Sequence, residues 1–326
     1  MTHGPIGWFD PRRPATIRRV LRFIAFRLLQ FPLILAVIYL LTFLLAWAAP
    51  GSPFENPERK LDPIAQHQLE KQFHAEHWYK FLAFYPANVL LHGDFGPSMS
   101  YKGWSVNDVL SSALPVSMAL GLTALVIATF AGTGIGTLAA VRRNGPFDWA
   151  SLAVALVGIS LPGFVAAGLL LVIFCDRLHW FPSGGWGTVR EMVLPSIALA
   201  MMPLAYIARL TRVSMLDVLG NDYIRTARAK GLGRWTVIWR HGFRNAFLPV
   251  FTYLGPAAAA TMTGSFVVEK VFNIPGLGEH FVNSVLNRDQ TMILGTVMVY
   301  SAFLLTLNLL VDIGYSFIDP RIDVTA

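Results

Sequence analysis

Six long apolar runs constrain this chain more than any other feature. Each is close to or above the roughly 20 residues that an α-helix needs to cross a hydrocarbon core. The composition agrees, because the chain is 54% hydrophobic and only 14% charged, which is too apolar for an ordinary soluble domain. The sequence therefore predicts an all-α membrane protein with six transmembrane helices, at residues 24–47, 116–140, 150–175, 192–210, 245–268 and 292–317.

The basic residues are unevenly divided between the two sides that these spans create. Six spans place both termini on one side, which holds 17 of the 26 lysines and arginines. By the positive-inside rule that side is cytoplasmic. The predicted cytoplasmic segments include the N-terminal segment (1–23), a basic loop (211–244) and the tail (318–326). The predicted extracytoplasmic segments include a long loop (50–114) and a shorter one (269–290). Topology thus explains the net charge of +7, and because no nucleic-acid recognition module is evident, we expect no nucleic acid as partner.

Ionisable residues are almost absent from the spans. Apart from Arg27 and Arg209 near cytoplasmic ends, only Asp312 lies within one. We favour the interpretation that Asp312 pairs with a cytoplasmic arginine over the alternative that it has a role in gating. A proton-coupled carrier needs ionisable groups near the midplane to bind its coupling ion. A self-sufficient secondary carrier is therefore the weaker alternative.

The loops offer no convincing catalytic or metal constellation. His67, His74 and His77 could share one helix face, but no fourth ligand is evident and a solvated face is favoured. The chain has a single cysteine, Cys175, so no internal disulfide is possible. We predict no catalytic residue and no metal site, which disfavours a membrane-embedded enzyme.

Glycine and proline positions indicate how the spans pack and where the chain bends. Gly132 and Gly136 have the GxxxG spacing that allows close helix contact, and Pro162 in "SLPGF" predicts a bend in the third span. In the long outer loop, Tyr79 and Leu82 belong to a helix-compatible stretch that we expect along the membrane surface. Residues 273–289 contain the turn "PGLG" and predict a short re-entrant or interfacial hairpin, whose apolar stripe (Phe281, Val285, Leu286) packs toward the spans.

The stretch "DYIRTARAKGLGRWTVIWRH", residues 222–241, reads as a basic soluble segment between two spans. Asp222 can cap a helix over 223–230, Gly231 or Gly233 can adopt the left-handed conformation that ends it, and a second helix starts at Arg234. The sequence predicts a helix-glycine-helix elbow.

The elbow has the composition of a docking surface. Ala227 and Ala229 predict a flat outer patch, and Arg225, Arg228 and Lys230 a basic rim that could seat in a groove of another protein. Anionic lipid is the alternative partner.

The stretch "RTARAKG", Arg225 to Gly231, resembles the cytoplasmic coupling loop of binding-protein-dependent ABC importer permeases, whose pattern is Glu-Ala-Ala, three residues, then Gly. Arg225 and Thr226 replace the Glu and first Ala, as is typical of the peptide-import branch, while Ala227 and Gly231 match. Nearly the whole chain is similar to the first of the two permease subunits of oligopeptide importers, through the segments "APGSPF", "HGDFGPS", "YKGWSVND", "TGSFVVE", "LNRD" and "DPRI".

This resemblance implies the type I ABC importer permease fold, with a large extracytoplasmic loop between helices 1 and 2, in the bacterial inner membrane. It implies a homologous second permease, two ABC ATPase subunits and an extracytoplasmic peptide-binding protein as partners, besides membrane lipid. The chain lacks G-x-x-x-x-G-K-[ST], so it would bind no cofactor, and the partner subunits would use ATP and magnesium. A dipeptide, nickel or glutathione permease remains the alternative within the family. The implied ATPase-coupling residues are Asp222, Tyr223, Arg225, Thr226, Ala227, Arg228, Ala229, Lys230 and Gly231.

Overall fold

The protein is almost entirely helical where its structure, a computed structural model, describes it, at residues 17–49, 71, 77–100 and 103–318. Predictions for residues 1–16, for most of 50–76 including His67 and His74, and for 319–326 lie outside the described residues. No strand forms in the described ranges, and the predicted all-α class is confirmed. The helices are α1 (Ile17–Ala48), α2 (Trp78–His92), α3 (Val106–Val141), α4 (Pro146–Ser160), α5 (Gly163–Leu170, continued by the π-helical Leu171–Arg177), α6 (Val189–Leu219), α7 (Asp222–Ala229), α8 (Arg234–Thr236, the π-helical Val237–Phe243 and Arg244–Ala246), α9 (Leu248–Val271), α10 (Leu277–Leu286) and α11 (Gln290–Ile318).

Several of these helices have the length and apolarity of membrane spans. Among the described residues, α1, α3, α6 and α11 qualify individually, and the bent pair α4 and α5 raises the number to five if it is one span. Helix α9 occupies the position of the predicted fifth span, and its 24 residues reach about 36 Å at ~1.5 Å per residue.

Helices α3 and α6 form the most extensive helix contact of the described fold. A Cβ added at Gly132 would lie 2.9 Å from the Leu204 carbonyl oxygen, and one at Gly136 would clash with the Ala208 carbonyl and lie 2.7 Å from Cβ of Thr211. Only glycine allows the two backbones to come this close. The close packing predicted from the GxxxG spacing is therefore present.

The third predicted span is divided at Pro162 rather than gently kinked. Helices α4 and α5 meet at an angle of 108°. Leu161 still donates its N–H to Val157 O, and Val165 donates to Pro162 O, so each helix ends or begins with its own hydrogen-bonded turn. Proline has no N–H to continue the ladder, which explains why the break falls here.

The outer-loop helix α2 packs against the first and last helices instead of lying apart from them. Phe81 and Tyr85 are buried, and their rings lie 6.2 Å from those of Phe43 and Tyr39 on α1. The Tyr85 hydroxyl donates to the Thr291 carbonyl at the start of α11. The outer loop is thereby fixed to the helical bundle.

The hairpin after α9 contains helix α10, but its predicted apolar stripe was wrong in part. Phe281 packs on Phe266 with ring centroids 5.2 Å apart, whereas Val285 and Leu286 are 49% and 75% exposed. Buried Glu269 fixes the start of α10, because its carboxylate accepts the Gly278 N–H at 2.7 Å.

Candidate functional site

The elbow forms the two helices that its sequence predicts, with small shifts at the ends. Helix α7 begins at Asp222, after the N-cap Asn221, so the prediction that Asp222 caps the helix is wrong. The helix ends at Ala229, and Gly231 has the left-handed φ of 78°. A glycine is needed here because a side chain makes this conformation unfavourable.

Ala227 lies on the inner face of the elbow, which corrects the prediction of an outer alanine patch. It is 7% exposed and packs with Ile224, Val237 and Leu219. Its inward position follows from the return of α8 against α7, a contact between segments on opposite sides of the glycine turn. Of the predicted coupling residues, the exposed ones are Asp222, Tyr223, Arg225, Thr226, Arg228, Ala229, Lys230 and Gly231.

Helix α8 fixes the elbow to one end of the bundle. Ile238 and Ala246 are buried in one cluster with Ala140 of α3 and Met215 of α6. Across the elbow, Asn245 Nδ2 donates to the Tyr223 hydroxyl at 3.0 Å. Both ends of α7 are therefore tied to a packed platform, which would pass a force on α7 to the bundle.

The outward face of the elbow is strongly basic. Between residues 221 and 247 the chain has one acid, Asp222, which lies 3.4 Å from Arg225. Because both partners are highly exposed, this pair contributes little stability. The six exposed cations are Arg225, Arg228, Lys230, Arg234, Arg240 and Arg244.

A buried ion pair near the elbow escaped the sequence analysis. Asp148 at the start of α4 accepts from Arg212 of α6, at 2.5 Å from Nε and 2.8 Å from Nη2, and from the Asn144 N–H at 2.9 Å. The bidentate geometry joins the inner end of the broken span to the helix that carries α7. An aspartate just after "GP" is a signal for a helix start, but its partner 64 residues away could not be predicted.

Two of the sequence motifs meet at the end of the bundle opposite the elbow. Asp289 of "LNRD" is fully buried and accepts from the Ser98 hydroxyl of "HGDFGPS", from the Ser100 N–H at 3.1 Å and from the Met292 N–H at 3.1 Å. Thr291 is also within hydrogen-bonding distance of the Pro97 carbonyl. This outer junction anchors the loop before α3 to the first turn of α11.

Asp312 has the arginine partner that its position predicts. Arg27 Nη2 lies 3.2 Å from its carboxylate, which links α1 to α11. The interpretation of Asp312 as a paired acid is confirmed.

Residues 132–324 match the family described as "Binding-protein-dependent transport system inner membrane component". The chain belongs to this family. The match starts within α3 and includes the broken span, the elbow and the outer junction's Asp289. The family is that of ABC importer permeases, so the chain is a membrane subunit and not the nucleotide-binding one. As a member, it is a multi-pass inner membrane protein.

The similarity to individual relatives also covers most of the N-terminal third of the chain, which lies outside the family match. The dipeptide transport system permease protein DppB of Bacillus subtilis (strain 168) is 47% identical over 286 residues, 88% of this chain and 92% of that protein. The oligopeptide transport system permease protein OppB of Escherichia coli (strain K12) is 41% identical over 305 residues, 93% and 99% of the two chains.

One solved structure, titled "Crystal structure of an amino acid ABC transporter with histidines", is 18% identical with a TM-score of 0.52 and covers 65% of this chain and 94% of that chain. At this identity the likeness supports the fold alone. The type I importer permease fold predicted from the sequence is confirmed.

Proposed function

We propose that this permease is the first of two membrane subunits of an ATP-driven peptide importer, with oligopeptides as its cargo. Relatives 41–47% identical over most of the chain are named peptide permeases. A homologous second permease would complete the translocation pathway. An extracytoplasmic peptide-binding protein would deliver cargo on the side of the outer junction, and both termini would be cytoplasmic.

The basic elbow is the observation that carries the coupling role. It is the one segment in the described chain that joins two span-length helices through a glycine turn and presents six exposed cations. Two ATPase subunits would bind ATP and magnesium and, on closing, would push on such elbows. Since α7 and α8 pack against α6 and α8 also packs against α3, that push would reach the helical bundle.

A dipeptide importer is the second candidate. It is favoured by one observation, that the Bacillus subtilis relative named for dipeptides is 47% identical, compared with 41% for the Escherichia coli relative named for oligopeptides. Cargo selection would also depend on the extracytoplasmic binding protein.

The test is co-expression of the chain with its neighbouring transport genes, followed by co-purification and an ATPase assay in lipid. We expect ATPase subunits to copurify and their activity to rise with peptide-loaded binding protein. Competition of labelled pentapeptide uptake by dipeptide and by pentapeptide then separates the two cargo classes. Uptake by the isolated chain without any ATPase would overturn the proposal in favour of a secondary carrier.

A further inference from the structure

Two exposed tryptophans lie on the elbow just beyond the coupling motif. Trp235 is 61% exposed and Trp239 52% exposed, four residues apart on α8. Exposed aromatic side chains grouped on one surface indicate an interaction site. Tryptophan, tyrosine and arginine are also the residues that most often dominate the binding energy of protein interfaces.

The residues around the two indoles define the chemistry of a partner. Arg234 directly precedes Trp235 in the sequence, and Arg240 directly follows Trp239. Both arginines are exposed, as are the cations of α7. The only carboxylate of the elbow, Asp222, lies beside Arg225. A complementary surface would therefore offer an apolar pocket for the indoles, surrounded by carboxylates.

Helix α8 connects this surface to the membrane helix that follows. Phe247 donates its N–H to Phe243 O at 2.8 Å and Phe251 donates to Phe247 O at 2.9 Å, so hydrogen bonding continues from α8 into α9. The rings of Trp239, Phe243 and Phe247 follow one another with centroids 5.0 and 5.3 Å apart. A contact at Trp239 would thus act on α9 without passing through the glycine turn.

The same ladder ends against the last helix. Phe251 lies 6.4 Å from Phe247, centroid to centroid. Its ring is so close to Gly314 of α11 that a Cβ added there would lie 2.9 Å away. Displacement of α8 would therefore reach α9 and α11 through packed aromatic rings.

We propose that Trp235 and Trp239 anchor the elbow in an ATPase subunit, in a pocket with an apolar floor and an acidic rim. This inference rests on the proposed function and deepens it by naming the side chains that bind. Ala227 of the coupling motif is buried against α8 and is not available for that contact. Trp235 lies only four residues beyond Gly231, the last motif position, so the two indoles follow the coupling motif directly in the chain.

The experiment measures the affinity of the ATPase subunits for the permease pair in nanodiscs, with wild type, Trp235→Ala, Trp239→Ala and the double variant. The double variant should lose affinity by about tenfold or more, as expected for interface anchors. Trp180→Ala is the matched control, because Trp180 is also 61% exposed, has its ring centroid 5.7 Å from that of Phe174 and follows α5 at the other end of the bundle. It should bind as the wild type does.

The possible negative results are distinguishable, because they overturn different claims. Wild-type permease that retains no ATPase subunit would overturn the proposed function itself. Wild type that binds, with a double variant within about twofold of it, would overturn only the tryptophan anchors. A double variant that binds ATPase normally but no longer retains anionic lipid would assign the surface to the membrane and overturn the inference as well.

A second pair of variants separates docking from folding, because alanine at Trp239 also removes the ring contact with Phe243. Trp239→Phe keeps an aromatic ring in the ladder and should retain most of the affinity. Arg234→Glu lies outside the ladder and should weaken binding and reduce its salt dependence. Unchanged affinity and salt dependence in Arg234→Glu would contradict the acidic rim.

Discussion

Ala227 and Ala229 are two residues apart on α7 and have opposite environments. Ala227 is buried beside Ile224 and Val237, whereas Ala229 is exposed. Ala227→Asp would place a carboxylate in this apolar cluster, at a cost of several kcal/mol when the charge is unpaired. We expect the elbow to open locally, with faster tryptic cleavage at its arginines in limited proteolysis.

Ala229→Asp provides the contrasting variant. Its side chain would remain in water, so proteolytic protection should match that of the wild type, while the added negative charge should weaken ATPase binding to the basic face. Equal cleavage rates for the two variants would show that the inner and outer faces of α7 are wrongly assigned.

Asp289 is a buried carboxylate, and the groups that donate hydrogen bonds to it stabilise its charge. In Asp289→Asn one carboxylate oxygen is replaced by an amide NH2 group, which cannot accept a hydrogen bond. Depending on which side this group faces, the side chain loses either the bonds from Ser98 and Ser100 or the bond from Met292. Hydrogen bonds to a charged group contribute about 1.5–3 kcal/mol each. We expect a lower unfolding temperature and loss of peptide uptake with ATPase subunits still bound, because the outer junction lies at the end of the bundle opposite to the elbow.

Asp94→Asn is the control for that experiment. Asp94 lies in the same loop, is exposed and accepts the Gly96 N–H at 2.8 Å. Its amide can retain that single bond, so uptake and unfolding temperature should stay near wild type. If Asp289→Asn behaves as Asp94→Asn does, the outer junction does not hold the loop to α11.

At the level of helices, the pair Asp148 and Arg212 joins α4 to α6. Their side chains are only 3% and 19% exposed, and removal of one partner of such a pair costs about 3–5 kcal/mol. We expect Asp148→Asn and Arg212→Met each to lower the unfolding temperature in detergent. The double variant should be less destabilised than the sum of the two, because neither charge is then left alone.

The exposed pair Asp222 and Arg225 serves as the comparison for this cycle. Its removal should leave the unfolding temperature unchanged, since water screens both groups. Additive effects of Asp148→Asn and Arg212→Met would mean that the two side chains do not interact in the folded protein.

The contact between α3 and α6 gives a second prediction for helices. Gly136→Ala forces a methyl group onto the Ala208 carbonyl and should destabilise by about 1–3 kcal/mol, as overpacking does. Gly134→Ala is two residues away on α3 with nothing within 4 Å of the added Cβ. It should be neutral or slightly stabilising in the same thermal unfolding assay, and a similar loss in both variants would argue against the helix interface.

For the whole molecule, sequence predicts what depends on local chemistry and misses what depends on distant partners. Hydropathy predicted the long apolar helices, and the pattern of the elbow predicted a left-handed glycine at Gly231 or Gly233, of which the structure has Gly231. The inward side of Ala227 depends on the return of α8, which no periodicity reveals. The outer junction joins Asp289 to Ser98, 191 residues away, so its motifs could be recognised but their contact could not be derived.

The orientation of the whole chain in the membrane is the remaining prediction. The excess of basic residues places the elbow in the cytoplasm and the loop of Asp94 outside. The chain has one cysteine, and Cys175 is buried, so Cys175→Ser gives a background in which Arg228→Cys or Asp94→Cys introduces a single exposed thiol. A membrane-impermeant maleimide should label Asp94→Cys in intact cells and Arg228→Cys only after permeabilisation. The reverse pattern would place the basic elbow outside, where no ATPase could reach it, and both the coupling role and the tryptophan anchors would then have to be abandoned.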